Sequence, residues 1–520
     1  MLVSRSQLGD EGAGSGQGKS QHLAKVHFMR ESLSIYQRLF APVDARRLAW
    51  FRVVFGITAF WQVWMYVSAA NAIERLYVNP SFHFTYLGFG WVKPWPGQGI
   101  FVLFCVLTLL AILIIVGAYY RFCMAMFCVG FTYLFLIDKA LYQNHYYLIC
   151  LISFLMSFMP ANSTFSIDSR RFRKFRATTV PAWTVGLLQF QLGVVYFFGG
   201  LAKINPDWLR GEPMRAWLYS GTLHGMPEWA LTEGMVWFLT WSGLLFDLLI
   251  FPLLLWRRTR IWAYLAAMLF HLGTEWIFDI GVFPWFMIFA VTTLFGFHPR
   301  WPRLKDQASS VLRGNEFSMA RVGSLSMRQK LVSCLLGLYA AIQILVPLRH
   351  HLHDGRPSWN GKGDLFAWRM KLDDKIGKRH DNKLGTIAIF ARRTDAIDEF
   401  EIESSQVLTN EFQQAAVYRH PDMTLDFVHF LADTYRQRGI RDIEIYVHCH
   451  VALNGRRPQP IIDSAIDLAA APRTFFGPTP WVTDLIEPLQ APMTPEDYRN
   501  RDQDQQDQTE STIRADPYDD

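Results

Sequence analysis

At 520 residues the chain could hold three or four soluble domains of ordinary size. Its composition excludes that: 51% of residues are hydrophobic and only 18% charged, where soluble proteins carry about a quarter. The net charge of +6 does not mark a nucleic-acid binder either, because the basic residues gather in short clusters at the ends of apolar runs.

In chain order, residues 1–45 open with a Gly/Ser/Gln-rich stretch ("GDEGAGSGQGKSQ") that has no apolar signal core; we read it as a disordered cytoplasmic segment. Apolar runs then fill 46–348. Crossing a bilayer takes about 20 apolar residues, and candidate spans fall near 47–70, 99–118, 121–138, 144–160, 182–202, 233–256, 261–275, 279–297 and 330–348. Nine spans are expected; the shortest leave eight open. Arg46 and Arg47, "RRFRKFR" (Arg170 to Arg176), "RRTR" (Arg257 to Arg260) and "HPRWPRLK" (His298 to Lys305) all fall on the cytoplasmic side if the N-terminus does. That topology puts everything after about 349 outside the cytoplasm, in a periplasm or a lumen. A linker is expected over 303–329.

Beyond 349 the period changes. "LGTIAIFARR" (Leu384 to Arg393) and "DIEIYVHCHVAL" (Asp442 to Leu453) alternate as half-buried strands do, and "NGRR" (Asn454 to Arg457) reads as a turn. "DMTLDFVHFLADTYRQRG" (Asp422 to Gly439) has helical spacing with an Asp at its start and a Gly at its end. The fold class is therefore an α-helical membrane bundle followed by an extracytoplasmic mixed α/β domain, 349–490, with a β-sandwich-like component. Residues 491–520 ("DQDQQDQTE") predict a disordered acidic tail. Cys449 is the one cysteine of the outer domain, so it holds no internal disulfide.

Four clusters carry polar chemistry at apolar ends. Lys203, in "YFFGGLAKINPDW" (Tyr196 to Trp208), follows Gly199, Gly200 and Ala202, which leave the helix end bare for a close neighbour. It reads either as a snorkelling anchor or as a base in an apolar setting. "YQNHYY" (Tyr142 to Tyr147) holds Asn144 and His145 in an aromatic ring, and "FHLGTEWIFDIGVFPWF" (Phe270 to Phe286) holds His271, Glu275 and Asp279. The spacing puts His271 and Glu275 on one helix face. "VPLRHHLHDGRPSWN" (Val346 to Asn360) holds His350, His351 and His353 without the carboxylate or cysteine pattern of a metal site, and none is assigned. By the topology all four lie at the outer membrane surface, a place for a lipid-soluble molecule to meet a polar one.

These elements in this order resemble the vitamin K-dependent gamma-glutamyl carboxylase family, over about 45–490. The likeness rests on Asn144 and His145, "FMPANSTFSID" (Phe158 to Asp168), "VYFFGGLAKINPDWLRGEPM" (Val195 to Met214), the His271 and His350 segments, and "FAWRMKL" (Phe366 to Leu372). It implies that Lys203 is the base that deprotonates a vitamin K hydroquinone, with His145 as a further catalytic candidate. Asn144, His145, His271 and His350 are then candidates for binding the quinone. O2 and CO2 are the implied co-substrates, and a glutamate-containing peptide or protein the implied partner, held around Trp368, Arg369 and Met370. An apolar surround disfavours an ammonium, which is what would make a lysine useful as a base. The sequence departs from the family where Lys371 replaces a second methionine, where Ala202 stands for a lysine, and in lacking the cysteine pair that joins the two parts. Two other readings stay open: quinol epoxidation or other lipid chemistry without carboxylation, and a non-catalytic quinone-binding or lipid-binding protein.

Overall fold

The computed structural model describes residues 35–296, 326–378, 387–393, 399–474, 477–489 and 494–496. The acidic tail beyond 496, the "HPRWPRLK" cluster and most of the 303–329 linker lie outside these residues, as does the chain before 35. Of the segment expected to be disordered, the described part is ordered: Ile35–Phe40 is helical, and Pro42–Asp44 pairs antiparallel with Thr179–Pro181.

Nine helices stand at the nine apolar runs: α1 (Ala45–Ser68), α2 (Gly99–Val116), α3 (Tyr120–Ile137), α4 (Asn144–Ser157), α5 (Ala182–Ala202), α6 (Glu233–Leu255), α7 (Arg260–Phe278), α8 (Val282–Phe295) and α9 (Met327–Leu348). Seven are long and apolar enough to cross a membrane. α4 and α8 have 14 residues each, about 21 Å at 1.5 Å per residue, against a hydrocarbon core of about 30 Å. The reason is local. α4 ends at Ser157, three residues before Pro160, and α8 lies between Gly281 and Gly296, both with positive φ. In the bundle α1 packs on α2 and α8, α5 on α6, and α3 on α4. α9 stands almost apart, touching α5 through Tyr339, whose hydroxyl donates to Gln191 Oε1 at 2.5 Å.

"FMPANSTFSID" turns out to be structural, at the end of α4 opposite to Asn144. Asp168 accepts from the Tyr119 and Tyr120 amides (2.8 and 3.0 Å) and from Asn162 Nδ2 (2.8 Å). The fully buried Arg52 donates to the Ala161, Ile115 and Phe165 carbonyls. Gly117 has to be glycine, since a Cβ there would lie 2.3 Å from Arg52 Nη1.

Among its described residues the C-terminal domain holds two three-stranded antiparallel sheets. One runs β1 (Lys375–Lys378), β5 (His450–Leu453), β6 (Gln459–Pro460); the other β3 (Glu399–Ile402), β2 (Ala388–Arg393), β4 (Ile443–His448). The single strand expected over Asp442–Leu453 is two. The chain breaks at buried Cys449 and changes sheet, so that His448 pairs with Ala388 and His450 with Lys378. Asn454 and Gly455 then turn with positive φ. α10 (Glu411–Arg419) and α11 (Pro421–Gln437) follow β3 in the chain. Met423, Phe427, Val428 and Leu431 of α11 share one core with Ile443, Ile445 and Val447 of β4. Asp422 sits in the first turn of α11 behind Pro421 and receives Lys139 of the membrane bundle at 2.8 Å rather than capping the helix. Gln413, through Asp138 (2.8 Å) and the Phe82 carbonyl (2.7 Å), ties the two parts further.

Candidate functional site

Lys203 is the C-cap of α5 and is 6% exposed. Its Nζ donates to Asp247 Oδ2 at 2.7 Å and to the Gly199 carbonyl at 3.2 Å, and lies 5.2 Å from the centroid of the Trp208 ring. The loop that follows builds this arrangement. Asn205 Oδ1 accepts from the amides of Asp207 and Trp208, which turns the chain, and Trp208 Nε1 donates to the Thr240 carbonyl of α6. Lys203 is therefore neither a snorkelling anchor nor an isolated amine. It is half of a buried ion pair.

Asp247 was not among the residues the sequence singled out. Its signal was present: a lone carboxylate in "GLLFDLLIF" (Gly243 to Phe251), where an ionisable side chain inside a span is costly unless it has a partner or a purpose. The two glycines before Lys203 have separate uses. Gly200 lets α6 approach, since a Cβ there would lie 2.8 Å from Leu248. Gly199 faces the outer domain: a Cβ there would meet Asp247 Oδ2 at 3.4 Å, Met370 Cε at 3.5 Å and the Trp368 carbonyl at 3.8 Å.

One turn deeper, the Tyr196 hydroxyl lies 2.7 Å from His271 Nε2. Phe283 packs beside His271 on one side (6.3 Å between centroids) and His145 on the other (6.2 Å). His145 lines an apolar cleft with Phe55, Gln62, Val282, Phe283 and Phe286. Its ring has aromatic neighbours and no hydrogen bond among the described residues. Glu275 does not join His271; its Oε2 accepts from the Gly281 amide at 3.0 Å and fixes the turn into α8.

The segment Phe366–Leu372 closes the outer side. Phe366, Trp368 and Lys371 all adopt positive φ (60°, 57° and 50°), a conformation costing a non-glycine residue about 1–2 kcal/mol. Contacts from α4 and the turn before it hold that shape: Tyr142 Oη accepts from the Phe366 amide (2.8 Å), Asn144 Nδ2 donates to the Arg369 carbonyl (3.2 Å), and Tyr147 stacks on Trp368. Trp368 is 1% exposed, and its indole N–H has no partner among the described residues. Arg369 is engaged internally, with Asp364 and Ser358 each at 2.7 Å. Burial pushes Asp364 up to about 6, against the pull of Arg369. His350 contacts the Pro347 carbonyl (2.8 Å) and the His351 ring rather than the Lys203 pocket. The structure thus gathers Lys203, Trp368 and Met370 directly, reaches Asn144 through the Arg369 backbone and His145 across Phe283, and leaves His350 to one side.

The fold and this junction define a multi-pass membrane protein whose C-terminal domain closes over a buried lysine at a helix end. Two family models match it. Residues 40–301 match the HTTM domain, and residues 328–488 match the lumenal domain of vitamin K-dependent gamma-carboxylase. The chain belongs to the vitamin K-dependent gamma-carboxylase family. No solved structure matches it.

Proposed function

We propose that the protein couples oxygenation of a vitamin K hydroquinone to its epoxide with addition of CO2 to glutamyl residues of a peptide or protein. The observation that carries this is the buried Lys203–Asp247 pair at Gly199, a glycine that both Asp247 and the outer domain's Met370 border. The residues fit a lipid-soluble aromatic ring bearing oxygens. The His145 cleft is apolar and aromatic, and the unpartnered indole N–H of Trp368 is an available donor on the outer-domain side. When bound, the hydroquinone supplies the reducing equivalents and, with O2, the strength of base needed to remove a glutamate γ-proton.

The chain's own residues do the rest. Lys203 in its amine form accepts the phenolic proton. Asp247 holds Nζ in place and stabilises the ammonium that results, with Trp208 offering its ring face. Buried Trp368 and half-buried Met370 lie on the outer-domain side of Gly199, whose carbonyl accepts from Lys203, and there keep water from the pair, which strengthens that electrostatic stabilisation. The outer domain presents the peptide. In this reading it is extracytoplasmic, and the N-terminus is cytoplasmic. The test is an assay of purified protein in nanodiscs for epoxide and for labelled CO2 in a glutamyl peptide, with Lys203→Ala as control. Epoxide without label would remove carboxylation from the reading; neither product from the wild type would remove both.

A further inference from the structure

A small cavity among α1, α2, α3 and α4 belongs neither to the Lys203 pair nor to the His145 cleft. Val63, Phe104 and Leu134, all buried, line it together with the rings of Tyr66, Tyr77 and Tyr146. Tyr77 meets Tyr66 and Phe104 edge-on, at 6.1 and 5.7 Å between centroids. The cavity measures about 20 Å³. One water needs about 10–15 Å³, so the space admits a molecule of two or three atoms and no aromatic ring. The hydroxyls of Tyr66 and Tyr146 lie 2.6 Å apart and serve each other. A water needs two to four polar partners; this mostly apolar wall suits an apolar occupant instead.

A hydrogen bond joins the cavity to the His145 cleft. Gln62, a buried polar side chain of α1 that lines the cleft, donates from Nε2 to Tyr146 Oη at 3.3 Å, and Tyr146 lines the cavity. The Tyr146 ring also stands edge-on to that of His145, 4.4 Å away between centroids. We infer that the cavity holds dioxygen beside the cleft. This rests on the reading above, in which a hydroquinone is oxygenated there. Dioxygen is apolar and dissolves better in hydrocarbon than in water, so the bilayer around α2 and α3 supplies it. CO2 has a similar size, but in that reading it adds to a glutamate presented by the outer domain, whereas dioxygen has to reach the quinone ring.

The test has a structural and a kinetic arm. Crystals of the full chain are pressurised with xenon and, separately, with oxygen; both gases should appear in the cavity of the wild type. Val63→Ile adds one methylene to the space and should exclude both without loss of thermal stability, since it fills a void. Leu134→Phe fills the same space from α3 and serves as the second variant. In nanodiscs each should raise KM for dioxygen in epoxide formation about fivefold, which corresponds to about 1 kcal/mol of lost binding, with KM for CO2 and affinity for the hydroquinone unchanged. No gas in the wild-type cavity overturns the inference, as does gas that both variants retain. Gas displaced by both variants with KM for dioxygen unchanged also overturns it, as binding at crystal concentration only. A rise in KM for CO2 alone would hand the cavity to CO2. Oxygen seated in the wild type and lost from Val63→Ile, in a protein that forms no epoxide, would sink the proposed reaction and leave this site standing.

Discussion

Lys203 Nζ and Asp247 Oδ2 lie 2.7 Å apart, with both side chains nearly closed to solvent. Removing one member of a buried pair strands the other charge, at a cost of about 3–5 kcal/mol, whereas replacing both by apolar groups is often neutral. Lys203→Met and Asp247→Leu should each lower the unfolding temperature in detergent strongly, and the double variant by far less than their sum. All three should lack epoxide formation. A double variant as unstable as the two single losses added would show that the pair is not coupled.

Gly199 and Gly200 separate packing from access. Gly200→Ala drives a methyl group to within 2.8 Å of the Leu248 side chain and 2.9 Å of its amide, an overpacking that costs about 1–3 kcal/mol. Gly199→Ala makes only ordinary contacts with Asp247 and Met370. The first should be seen in thermal unfolding with little change in KM. Gly199→Val should fold but lose turnover, because it fills the space Met370 shares with the pair. Equal loss of stability in Gly199→Ala and Gly200→Ala would sink this division.

Tyr196→Phe leaves His271 Nε2 without its partner at 2.7 Å, an unmade buried hydrogen bond of about 1–3 kcal/mol. If His271 faces the quinone, the same variant should raise KM for the hydroquinone while KM for the peptide stays constant. A change confined to the peptide would place His271 outside the quinone site.

The bundle was legible because apolar runs report bilayer-crossing helices directly, and nine of them are helical. Their lengths were less so, since Gly281 and Gly296 trim α8 through backbone angles that hydropathy does not see. The break at Cys449 escaped for a related reason: both halves keep the alternation of a strand, and only the pairing partners reveal two sheets. At the site, Lys203 stood out by its odd position, but Asp247, 44 residues away, could not be matched to it without the α5–α6 packing. "FMPANSTFSID", one of the stretches that carry the family likeness, holds Arg52 and the α2–α3 turn, because a motif's specificity says nothing about which end of a helix it occupies.

Asp207, four residues after Lys203, fastens the outer domain to the loop that follows Lys203. Its carboxylate takes both Arg456 Nη atoms (2.6 and 2.7 Å) and Asn454 Nδ2 (3.0 Å), and Asn454 pairs with the Asp374 backbone just after the Trp368–Leu372 segment. Burial pushes Asp207 up, but the hydrogen bonds from Arg456 and Asn454 and the charges of Arg456 and Arg356 together hold it below the ordinary carboxylate range. The folded protein therefore binds this proton less readily than the unfolded chain does. The stabilisation is complete above the unfolded value near 3.9 and is lost as the pH falls through the folded one. In hydrogen exchange, β1 and β5 should stay protected from neutral pH down to about 4 and open below it. Asp207→Asn should open them at every pH, with no further acid step from this group. Arg456→Met should do the same and cut carboxylation more than epoxidation, because peptide presentation is disturbed while Lys203 and Asp247 stay together. An Asp207→Asn protein with wild-type protection at neutral pH would show that this contact does not hold the domain.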